Sequence, residues 1–117
     1  MKRSDIKVSP EYFYTYINLV EDQELNDLLP TGGIDLYENA FDELQKLGLQ
    51  TYAEGKWTVN EIIGHIIDCE IIFLNRSLRF ARNDKTNLPG FEENDYAAAF
   101  RANDIPLKDL MDHFKAV

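Results

Sequence analysis

The sequence predicts an all-α domain, and three observations predict it. Apolar residues recur at three- and four-residue steps over long stretches. Glycines and prolines are few, six and four, and stand between those stretches. No strand-length alternation repeats between turns. The chain has 117 residues, 44% of them apolar, with seven phenylalanines, six tyrosines and one tryptophan. That is enough for a single domain, residues 1–117, with a packed core.

Ser9-Pro10 reads as an N-cap followed by proline at the first helical position, opening a short helix through about Val20. Its aromatics Tyr12, Phe13, Tyr14 and Tyr16 are expected to pack on the bundle. Leu28 to Gly33 is a break, after which Leu36, Ala40, Phe41, Leu44 and Leu47 mark an amphipathic helix. Gly48 suits its left-handed end, and Leu49 to Lys56 connects onward. Thr58 can then cap the free amides of a new helix while Glu61 reaches back to the amide of Thr58, with Trp57 against Ile62 as a hydrophobic staple. This helix runs to about Arg82, roughly 37 Å, with Arg76, Arg79 and Arg82 near the negative end of its dipole. Val59, Ile62, Ile63, Ile66, Ile67, Ile71, Phe73, Leu74, Leu78 and Ala81 share one apolar arc, wide enough to call for neighbours on two sides. Asn83 to Gly90 is a loop, Phe91 to Asn103 a modest helix, and Pro106 opens a helical pattern still running at Val117.

Charge and cysteine usage narrow the function classes. Twenty-one acidic against twelve basic residues give a net charge of −9, which repels phosphate backbones and anionic lipid headgroups. Neither nucleic acid nor a membrane surface is an expected partner, and no run approaches the ~18 apolar residues of a membrane span. The lone Cys69 cannot form an internal disulfide, which points to a reducing, cytoplasmic setting.

Three positions on the long helix carry candidate chemistry. His65 lies at the edge of the apolar arc with Cys69 one turn on, and histidine and cysteine at i and i+4 can share a metal. The competing reading is a hydrogen-bonded structural histidine, since zinc normally takes three or four protein ligands and His113, the other histidine, has no partner pattern. Glu70 falls in the middle of the arc, either in a buried ion pair with an arginine or as a catalytic base. Asp68 faces the polar side and reads as solvated. Asp84-Lys85-Thr86 lacks the glycines of a phosphate-binding loop, and the arginines at three-residue steps are explained by the helix terminus.

The segments Tyr52 to Thr58, Glu61-Ile62-Ile63-Gly64-His65-Ile66-Ile67-Asp68-Cys69-Glu70, Arg76 through Ala81, Asp84-Lys85-Thr86 and Leu88-Pro89-Gly90-Phe91 resemble, in that order, the DinB/YfiT-like superfamily. The resemblance implies an up-down-down-up four-helix bundle, often dimeric, with a divalent metal such as zinc or nickel on three histidines. His65 matches the first of these. The other two form a His-x-x-x-His pair on a last helix, and this sequence contains no such pair, so the bundle is expected to be incomplete. The resemblance further implies metal-dependent hydrolases or S-transferases that use a small-molecule thiol such as bacillithiol or mycothiol. This chain is expected to hold the metal poorly by itself. The catalytic candidates are Glu70 and Asp68, and a homo-oligomer, a dimer first, is the expected assembly. The alternative is a helical association module without catalysis.

Overall fold

The structure, a computed structural model of the chain, describes residues 1–7, 11–28 and 33–117. Every regular element among the described residues is helical. The helices are α1 (Glu11–Ile17), α2 (Leu25–Leu28), α3 (Ile34–Asn39), α4 (Phe41–Leu47), α5 (Val59–Ala81), α6 (Glu93–Phe100) and α7 (Leu107–Ala116). Single 3-10 turns stand at Arg3–Asp5 and Ala102–Asp104. None of the described helices is long and apolar enough to cross a membrane. The expected Ser9-Pro10 helix start and the centre of the expected break, Leu29 to Gly32, lie outside the described residues.

The chain divides into two compact units, Met1–Asp35 and Leu36–Val117. The first is tied by polar groups. Arg3 Nη1 donates to the carbonyls of Asn18 and Val20 at 3.1 and 2.9 Å, and the N-terminal ammonium meets Glu24 at 2.7 Å. The amide of Ser4 donates to Asp22 at 2.8 Å and holds that carboxyl below its ordinary pKa. Helix α1 ends at Ile17, short of the expected Val20, as the next residues turn back in i to i−3 hydrogen bonds. Tyr12, Phe13, Tyr14 and Tyr16 are exposed, and the Tyr12 ring meets those of Phe13 and Tyr16.

The second unit is built around α5. Its start follows from local chemistry: Thr58 accepts the amide of Glu61 at 3.2 Å, and Glu61 accepts the amide of Thr58 at 2.8 Å. Thr58 also donates to Asn103 Oδ1 at 2.6 Å, and Asn60 donates to the carbonyls of Ala102 and Ile105. These bonds clamp the 3-10 turn onto the first turns of α5. Helices α6 and α7 pack on α5 as well. The core is Ile63 and Ile67 with Ala97, Ala102, Leu107, Leu110 and Met111. Gly64 allows the close approach, for a Cβ there would lie 3.2 Å from Ala102 Cβ and 3.3 Å from the Phe100 ring.

Two expected helices are interrupted. The pattern from Leu36 to Leu47 is divided at Ala40, which sits at φ −93° and ψ 2°, although Tyr37, Phe41 and Leu44 keep one half-buried face and Tyr37 meets Phe114 edge-on. Gly48 ends α4 at φ 54° and ψ −123°, a positive φ that would strain a side chain, though not the left-handed helical conformation expected there. The expected helix Phe91 to Asn103 is α6 alone. Arg101 takes a left-handed conformation, φ 54°, and redirects the chain into the 3-10 turn.

Candidate functional site

The capping box sets the rotation of α5, and that rotation carries His65 to the edge of its packed face two turns on. Its imidazole is half-buried. The Trp57 ring leans on it with centroids 4.9 Å apart. The expected staple partner of Trp57, Ile62, lines the same cavity of about 300 Å³ as Trp57, together with Lys56 and Glu93. On the other side of His65, Cys69 Sγ lies 3.5 Å from Nε2 and 3.9 Å from Nδ1. The i, i+4 spacing therefore brings the two side chains together, as expected.

Thiol and ring are separated by a sulfur hydrogen-bond distance. The same 3.5 Å is close to the roughly 3.5 Å edge that sulfur and nitrogen span on one tetrahedral zinc ion. Burial pushes the Cys69 thiol pKa up, and the carboxylates of Asp68, Glu93 and Glu70 push it further against the opposing pull of Arg76. The thiol is thus held protonated, the weaker form both as ligand and as nucleophile. Among the described residues no group of three or more histidine, cysteine or acidic side chains is arranged for a metal. Two donors stand where zinc takes three or four, so the described residues do not fit a complete metal site.

Asp68 departs from its expected place. It is half-buried rather than solvated, lining a surface cavity with Tyr96, Ala99 and Phe100, because α6 folds back over that side of α5. Burial raises its carboxyl pKa, and the imidazoles of His65 and His113 oppose the rise. Glu70 departs in the other direction. It is exposed and makes no ion pair among the described residues, because the segment beside this half of α5, Leu88–Phe91, lies on the side of Ile72, Arg76 and Arg79 instead. The buried ion pair expected there does not form.

His113 has no partner pattern in the sequence, yet the fold brings it near Asp68. It follows Leu110 by one turn, which sets it beside the face of α7 that packs on α5, and its ring stacks at 6.5 Å on Phe100. The three-residue step from an apolar position was the available signal. Asp84 organises the loop after α5. It accepts Arg79 Nε at 2.7 Å and the amide of Thr86 at 2.8 Å, which hold its carboxyl far below the usual range.

Compared with family models, with curated proteins and with solved structures, the chain finds no match.

Proposed function

We propose that this chain is a DinB/YfiT-like helical domain of the cytoplasm, an incomplete four-helix bundle in which His65 is one donor to a divalent metal, zinc or nickel. The observation that supports the reading is the seating of His65, half-buried between the Trp57 ring and Cys69 with its ring nitrogens 3.5 and 3.9 Å from sulfur. An imidazole held this way loses little freedom on meeting a ligand. The other donors are not among the described residues, so the chain alone binds the metal loosely. The activity that goes with the reading is metal-dependent thiol S-transfer or hydrolysis, for which a divalent ion held in part by His65 would supply Lewis acidity. Asp68 is the better acid-base candidate, since it is half-buried and lines a cavity with Tyr96, Ala99 and Phe100, where burial raises its carboxyl pKa. Glu70 stands second because it is exposed.

A second reading is a homo-oligomeric association module without catalysis, a dimer first. Ile71, Phe73, Leu74, Leu78 and Phe80 favour it, being exposed along the C-terminal half of α5.

Native mass spectrometry on the purified chain, before and after adding zinc or nickel, separates the two. The first reading predicts a metal-loaded species that appears on addition and is lost in His65→Ala. Metal uptake that ignores His65→Ala contradicts it. A metal-free dimer indifferent to both additions leaves the association module standing.

A further inference from the structure

A cavity of about 320 Å³ lies beside the C-terminal half of α5, away from His65, bounded across from the helix by Leu88–Phe91. Two arginines reach it, and their charges are met differently. Arg79 is neutralised by Asp84 at 2.7 Å and donates again to the Thr86 carbonyl at 3.3 Å. Arg76, one turn earlier, has no carboxylate partner among the described residues. Its Nη2 donates to the Pro89 carbonyl at 3.1 Å, and its carbon centre stands 6.0 Å from the Phe73 ring. The carbonyl orients the guanidinium without cancelling its charge, and most of its five N–H donors stay unused. Asn75 and Tyr96 also line the cavity, and their side chains make no hydrogen bond among the described residues. The remaining wall is apolar, from Ile72, Leu88 and Phe91.

A charged fork, an amide and a hydroxyl around an apolar hollow define a ligand chemistry. The guanidinium geometry matches a carboxylate in two parallel hydrogen bonds. The apolar wall offers nothing to a bare oxyanion, and a net charge of −9 opposes a dianion more than a monoanion. We infer that this cavity binds a small monocarboxylate with an apolar body, such as an aryl or branched alkyl acid, its carboxylate on Arg76 and its body against Leu88 and Phe91.

Amide-resolved NMR titration of the full chain with sodium phenylacetate tests this, with phenylacetamide and inorganic phosphate as comparators. The expected result is saturable shifts at Asn75, Arg76, Gly90 and Phe91. Phenylacetamide and phosphate should each bind about tenfold more weakly or worse, the size of one charged hydrogen-bonded contact. Arg76→Gln should weaken phenylacetate by a similar factor. Since Arg76 also holds Pro89, Asn75→Asp serves as the second variant: it leaves that bond in place, sets a negative charge in the cavity, and should abolish binding while the urea midpoint stays put. Equal affinity for the amide overturns the carboxylate assignment, and equal affinity for phosphate overturns the apolar body. Absence of saturable shifts, or binding unchanged in Asn75→Asp, overturns the site.

Discussion

The two halves of α5 carry similar apolar patterns and meet different fates. From Val59 to Cys69 the helix is covered by α6, α7 and the 3-10 turn, and Ile63 and Ile67 are sealed, Ile67 at 0% exposure. From Glu70 to Ala81 the same periodicity continues, yet Leu74 is 65% exposed, with Ile71, Phe73, Leu78 and Phe80 also open. The difference teaches that a helical apolar arc states what a helix can bury. What it does bury depends on elements that arrive from elsewhere in the chain. His65 and Asp68 sit near the end of the covered half, where a side chain is oriented by packing and still reached from outside.

The largest expected effect sharpens this contrast. Ile67→Ala should cost about 2–5 kcal/mol of stability, and Leu74→Ala in dilute protein about 0.5 kcal/mol or less, both measured by urea unfolding. Equal losses would mean the exposed half is covered after all. A Leu74→Ala cost that grows with protein concentration would identify the cover as another copy of the chain. Next in size is the clamp at the start of the covered half. Thr58→Ala removes the cap and the bond to Asn103 and should cost about 1–2 kcal/mol, with Thr58→Ser recovering most of it. The smallest effect belongs to Asp68. Its folded-state carboxyl pKa lies above the unfolded value, so ionisation favours the unfolded chain, and stability falls as pH rises from the ordinary carboxylate pKa through the folded one. Asp68→Asn should therefore raise the urea midpoint slightly at neutral pH and leave it unchanged at pH about 3. A midpoint lowered at neutral pH would mean that ionised Asp68 is held by favourable partners.

Features written in neighbouring residues were legible in the sequence. The Thr58 and Glu61 reciprocal cap, the positive φ of Gly48 and the pairing of His65 with Cys69 each depend on four or five consecutive positions. What the sequence hid was set by distant segments. Glu70 shares the face of Ile63 on a helical wheel, which assumes cover on one face along the whole length, whereas beyond Cys69 the covering segment Leu88–Phe91 shifts to the side of Ile72, Arg76 and Arg79. On the same wheel Asp68 falls on the solvated side, and nothing nearby in sequence announces that α6 returns over it. Arg101 was unreadable for another reason: left-handed backbone is usually carried by glycine or asparagine, and here an arginine takes it. His113 reaches the neighbourhood of Asp68 only through the packing of α7 on α5.

Imidazole-resolved NMR during a zinc titration tests the central functional claim most directly, because it reads each histidine separately and does not require tight binding. The account predicts that the His65 ring nitrogens shift first, that His65→Ala abolishes the early phase, and that His113→Ala leaves it in place. Zinc shifts confined to His113, or no histidine shift before the protein precipitates, would contradict His65 as the metal donor.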